Sequence, residues 1–140
     1  MNGSIIVDAG PLVALLVEKD EHRKWATEQF GQLRPPLLTC DAVLAEANHI
    51  IERHGGDSAK VLDLVTRGVL RMAFHVEDDA EALASLIRRY RNVPMSLADA
   101  CLVRMSELHP RATVFTTDSD FHIYRRHGRQ MIPLLMPADS

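Results

Sequence analysis

Asp8, Glu46, Asp99 and Asp118 are acids spread along most of the chain, and each borders or interrupts apolar sequence where a solvated carboxylate is out of place. Desolvating several carboxylates together is costly unless a cation binds them, so their chemistry points to a metal site. Asp8 and Asp118 each follow an apolar run, Ile5-Ile6-Val7 and Val114-Phe115 with two threonines. Turn formation by Asp is the alternative at either position alone, because its side chain bonds backbone groups two residues on. Glu46 falls about 60° from Val43 at the helical period, on the shoulder of an apolar stripe, where the alternative is a solvated helix acid leaning out of it. Asp99 lies among Leu97, Ala98, Ala100, Cys101, Leu102 and Val103, and the spacing Ser96-x-x-Asp99 also fits a capping box. The cap and the acid role can coexist there.

An all-oxygen donor set suits Mg²⁺ or Mn²⁺, whereas Zn²⁺ would call for His or Cys. His49 with His54 and His122 with His127 are five residues apart, a poor match to the i, i+4 spacing of helical ligands, and are left outside the site. Cys40 and Cys101 are too few for a thiolate cage and read as core thiols of a reducing compartment.

Short strands separated by helices would have to position these acids. Strands are expected over 4–7, 37–40, 69–76, 113–116 and 131–135, with helices opening at Gly10-Pro11 and spanning 21–33, then starting at Asp41, Asp57, Asp78 and Ser96. Asp41 is the expected N-cap of the helix carrying Glu46, and Gly55-Gly56 its stop. The alternation predicts a three-layer α/β/α sandwich around a mostly parallel sheet of four or five strands. Ligands of such sheets bind beyond the carboxyl ends of the strands, where Asp8 and Asp118 are expected.

The 140 residues are 46% apolar and 25% charged, which fits one folded domain over 1–140 with no linker or repeat. No basic leader and no membrane-length apolar run is present, so a cytoplasmic protein without membrane contact is expected. The net charge of −3 opposes bulk electrostatic binding of nucleic acid. Two divalent ions would reverse it formally to +1. The basic residues are 13 Arg against three Lys, and Arg matches phosphate in a bidentate way. Arg88, Arg89 and Arg91, or Arg125, Arg126 and Arg129, could therefore hold nucleic-acid phosphates, the alternative being solvated helix faces.

In the segments IIVDAGPLVALL, DAVLAEANHI, MSLADACLV and VFTTDSDF, taken in order, the chain resembles the PIN-domain nucleases, especially VapC-type toxins of toxin–antitoxin modules. The resemblance covers nearly the whole chain. It implies Mg²⁺- or Mn²⁺-dependent cleavage of single-stranded or looped RNA, with Asp8, Glu46, Asp99 and Asp118 as metal-binding acids and Asp120 as an auxiliary. It also implies a cognate antitoxin and a homodimer, for which Leu12, Leu16, Trp25 and Phe30 offer surface unless core packing claims them. Many relatives carry Ser or Thr after the first Asp; here Ala9-Gly10 stand instead, so any role for a hydroxyl there passes to Thr116, Thr117 or water, or is absent.

Other Mg²⁺ enzymes fit less well. A phosphatase of the haloacid dehalogenase kind needs Asp-x-Asp at the first strand, but position 10 is Gly; a receiver domain needs a late Lys, and none follows Lys60. A catalytically dead binding module with the same fold is the alternative from another class, set against the presence of all four acids.

Overall fold

The computed structural model describes residues 3–138, in which five short parallel strands form the central sheet. In chain order the elements are β1 (Ile5–Val7), α1 (Ala9–Leu16), α2 (Arg23–Gln32), β2 (Leu37–Thr39), α3 (Asp41–Arg53), α4 (Lys60–Thr66), β3 (Leu70–Met72), α5 (Ala80–Arg89), α6 (Leu97–Leu108), β4 (Thr113–Phe115), β5 (Arg125–Arg126), β6 (Gln130–Met131) and β7 (Leu134–Leu135). Single 3₁₀ turns precede α5 and follow β4.

The sheet runs β3-β2-β1-β4-β7, so the chain first builds outward from β1 on one side and then returns to place β4 on the other. Every residue of β1 and β2 is buried. Burial on both faces of a strand requires helices above and below the sheet, the three-layer arrangement expected of a parallel sheet. β1 is central, and its neighbour β4 is paired in the register Val7↔Phe115. The residues just beyond both strands therefore emerge side by side, at the point where strand order reverses and α/β sheets bind ligands.

Several boundaries differ from expectation for identifiable reasons. β3 has three residues rather than the eight of 69–76, because its one sheet neighbour, β2, offers partners only from Leu37 to Thr39. The run 131–135 is split at Pro133, which has no N–H: Met131 pairs antiparallel in a separate hairpin with β5, while Leu134 and Leu135 join the main sheet beside β4. Asp41 is the first residue of α3, not its cap; Cys40 holds the cap position and no side chain closes it. The acid still favours the first turn through the helix dipole.

The core absorbs residues that could have been interface. Leu12 is fully buried, and Trp25 and Phe30 both pack on Phe115, with ring centroids 5.3 and 5.2 Å away. Core packing thus accounts for them, with Leu16 packed against the same cluster. Cys40, at the start of α3, and Cys101, in α6, are buried free thiols of the same core cluster, and each perturbs the other's thiol. These are the two helices that carry Glu46 and Asp99. No helix among the described residues is long and apolar enough to cross a membrane.

Candidate active site

Asp8 ends β1 and caps α1: its Oδ1 accepts from the Ala9 amide at 2.7 Å. Because Val7 pairs with Phe115, the next residue of the neighbouring strand, Thr116, lies against it. The buried Thr116 hydroxyl donates to Asp8 Oδ2 at 2.6 Å and accepts from the Asp118 amide at 2.9 Å. One hydroxyl therefore joins the first acid to the turn bearing the last. Of the two threonines considered, Thr116 is the one whose hydroxyl bonds Asp8.

Gly10 has its own reason for lacking a side chain. A Cβ there would stand 2.1 Å from Thr117 Oγ1, so any larger residue would require the Thr117 side chain to swing away from the start of α1. Asp118 also plays the turn role considered for it, its Oδ1 accepting from the Asp120 amide at 2.9 Å.

At Asp99 the cap and the acid role share one side chain. Ser96 Oγ accepts from the Asp99 amide at 3.0 Å, and Asp99 Oδ2 accepts from the Ser96 amide at 3.3 Å, completing the capping box. Tyr124 approaches the same oxygen at 3.2 Å and the Pro94 carbonyl at 3.1 Å. Asp99 Oδ2 is thus held from two sides, which fixes the carboxylate plane and leaves Oδ1 free of these contacts. Tyr124 is fully buried against Tyr90 and Phe121. Nothing in the sequence marked it as part of the site; its only signal is an aromatic residue six positions after Asp118.

Asp8, Glu46, Asp99 and Asp118 line one cleft of about 690 Å³, with Gly10, Ile50, Ile87, Arg91, Pro94, Met95 and Thr117 among its other walls. Glu46 reaches it half-buried from α3, beside the buried stripe Val43, Ala47 and Ile51. Asp120 does not line the cleft; it faces the neighbourhood of Tyr124. Among the described residues, ion pairs engage Glu21, Asp79 and Glu107, and none engages an acid of the cleft.

The electrostatic consequence is a raised proton affinity. Burial pushes the Asp8 carboxyl up from 3.8 to about 7, against the Thr116 and Ala9 hydrogen bonds, and the charges of Asp99 and Glu46 add to it. Burial likewise raises Glu46, helped by Asp99 and Asp118. Asp99 is raised by burial and by Asp118, opposed by its bonds to Ser96 and Tyr124. Each of these three acids is raised further by a neighbouring carboxylate, and among the described residues no ion pair neutralises them.

Such a donor set fits a hard divalent ion: all oxygen, jointly disfavoured as charges, with Asp99 Oδ1 and Glu46 outside the hydrogen-bond network described. Among the described residues no three His, Cys, Asp or Glu groups converge closely enough to form a ready-made ion cage. An ion held there would therefore need water or substrate oxygens to complete its shell.

The Tyr124 contact gives a direct test. Tyr124→Phe removes one hydroxyl from a packed ring, with an expected stability loss of about 1 kcal/mol. If the phenol orients Asp99, the same change should lower any metal-dependent activity by about 10-fold, the scale of a lost outer partner of a metal ligand. Thermal melting and cleavage rates of the two proteins check both expectations.

A family model described as PIN domain matches residues 5–126. Among solved structures, the Mycobacterium tuberculosis toxin VapC20, described as cleaving the sarcin-ricin loop, is similar at 22% identity with a TM-score of 0.74, over 84% of this chain and 92% of that one. At that identity the likeness concerns the fold. No curated protein matches the chain.

Proposed function

The chain belongs to the PIN-domain family, and on that premise we propose that it is a metal-dependent endoribonuclease that cuts single-stranded or looped RNA as the toxin of a toxin–antitoxin module. The observation that carries the reading is the convergence of four acids, from the ends of β1 and β4 and from α3 and α6, on one cleft at the switch point of the sheet. The similar fold of a toxin described as cleaving a loop supports the substrate class. In the same reading, residues 1–140 are one PIN domain acting in the cytoplasm as a homodimer, with a cognate antitoxin as its protein partner.

Asp8 and Asp99 would hold Mg²⁺ or Mn²⁺, with Glu46 and Asp118 reaching it through water or orienting the attacking water. When bound, the ion polarises the phosphoryl oxygen and lowers the pKa of that water. Asp120 would assist only through the Asp118 turn. Thr116 and Tyr124 keep the two principal acids in fixed rotamers, so that the donor oxygens are preorganised before RNA arrives. Glu46, on the half-buried shoulder of α3, is the acid with the fewest restraints and the one best able to follow a moving proton.

Titration with MnCl₂ followed by thermal melting, and incubation with total RNA in Mn²⁺ or in chelator, tests the proposal. At a hundredfold excess over Kd a single bound ion should add about 2.7 kcal/mol, several degrees in Tm for a chain of this size. Cleavage should appear only with the ion. A melting temperature insensitive to Mn²⁺ and Mg²⁺, together with intact RNA, would instead assign the cleft to a catalytically dead binding module.

A further inference from the structure

The cleft carries four acids and a single basic wall residue, Arg91. An RNA strand entering it meets a surface of its own sign, and cation-binding acids alone do not orient the phosphates that flank the reacting one. The other arginines grouped near it in sequence are committed or turned away. Arg89 donates to the Gly128 carbonyl and lies over the Tyr90 ring, and Arg88 is not among the cleft walls.

Two arginines of the second basic group are also structural, and the third, Arg129, is exposed and not among the cleft walls. Arg125 donates to the carbonyls of His122, Ile123 and Tyr124. Arg126 is buried, its guanidinium on the carbonyl and hydroxyl of Ser106 near the end of α6. Arg91, by contrast, is exposed, follows the end of α5, and takes part in none of the ion pairs among the described residues. Beside it Ile50, Ile87, Pro94 and Met95 make the cleft's apolar wall, a surface that a sugar-phosphate chain does not use and an unpaired nucleobase does.

We infer that Arg91 is a positioning residue whose guanidinium grips an RNA phosphate next to the scissile one, with the adjoining unpaired base laid against Ile87 and Met95. This rests on the nuclease reading above. A planar guanidinium can hold a phosphate through two parallel hydrogen bonds. An exposed, unpaired arginine at the mouth of an acid cleft needs no rearrangement to do so.

The test separates binding from cleavage. A fluorescein-labelled single-stranded RNA is titrated into Asp8→Asn protein, with and without Arg91→Ala, in chelator at several salt concentrations. Loss of Arg91 should weaken binding about 10- to 100-fold, the worth of a charged hydrogen-bonded contact. It should also flatten the slope of log K against log salt by about 0.7, the release of one counterion from a single strand. Arg91→Lys should restore the slope but only part of the affinity, and the same RNA annealed into a duplex should bind more weakly.

In the active protein with Mn²⁺, Arg91→Ala should raise KM by a similar factor with kcat nearly unchanged. Wild-type cleavage with an unaltered KM and salt slope in Arg91→Ala would overturn the assignment while leaving the nuclease reading intact. Equal binding of duplex and single strand would overturn the base contact. Absence of both cleavage and binding in the wild-type protein would overturn the nuclease reading and Arg91's role with it. Melting curves of the exposed Arg91→Ala variant should match the parent.

Discussion

Asp8→Asn should produce a protein that is more stable than the parent in chelator at neutral pH and inactive on RNA. The substitution is isosteric: the Asn carbonyl can still accept from the Ala9 amide, and its NH₂ can donate to the Thr116 hydroxyl. What changes is charge, along with the acceptor of the Thr116 hydroxyl hydrogen, which must turn elsewhere. In the folded protein Asp8 titrates near 7 instead of 3.8, so between these values the native state holds a proton that the unfolded chain has released.

Stability of the metal-free protein therefore falls as pH rises through that window and levels off above about 7. Glu46 and Asp99 act in the same direction. Asn cannot ionise, so the difference in unfolding free energy between variant and parent should grow from near zero below the unfolded pKa to on the order of a few kcal/mol at neutral pH. Denaturant melts at a series of pH values in chelator measure it directly. In Mn²⁺ the order should reverse, because only the parent binds the ion tightly. Loss of an outer partner costs metal sites about 10- to 100-fold, so loss of this acid should cost cleavage at least about 100-fold. A variant that cuts RNA at the parental rate, or melts below the parent at neutral pH without metal, would remove Asp8 from the site.

The second large effect should come from a residue with no charge. Thr116→Val keeps the shape of a fully buried side chain but strips Asp8 Oδ2 of its donor and the Asp118 amide of its acceptor. Leaving such groups unsatisfied costs about 1–3 kcal/mol each, so a clear drop in Tm is expected. The hydroxyl is also the strongest influence lowering the Asp8 pKa. Without it Asp8 should hold its proton to still higher pH, moving the acid limb of the activity profile upward and lowering neutral-pH cleavage by about 10- to 100-fold. Thr116→Ser retains the hydroxyl and should recover most of the activity. Equal pH profiles for Thr116→Val and the parent would show that Thr116 serves packing alone.

Local order in the chain was enough to reveal the four acids and the strand–helix alternation that carries them. Asp8 and Asp118 stand at the ends of apolar runs, and Glu46 and Asp99 interrupt helical stripes; these are departures from a short-range period, visible without knowing what lies opposite. Ser96 and Asp99 likewise announce their capping box at a separation of three residues, and the structure bears it out.

What depends on residues distant in sequence was decided only by packing. The parallel register Val7↔Phe115 makes Thr116, 108 positions away, the partner of Asp8, and selects it over Thr117 as the source of the hydroxyl. Tyr124 meets Asp99 because the turn after β4 folds back on the start of α6, and no periodicity encodes that meeting. The arginines looked equivalent as a string of charges, yet one lines the acid cleft and another is buried on α6. Side-chain type and spacing fix which faces an element presents; strand order and register fix which faces meet, and the site lies at that meeting.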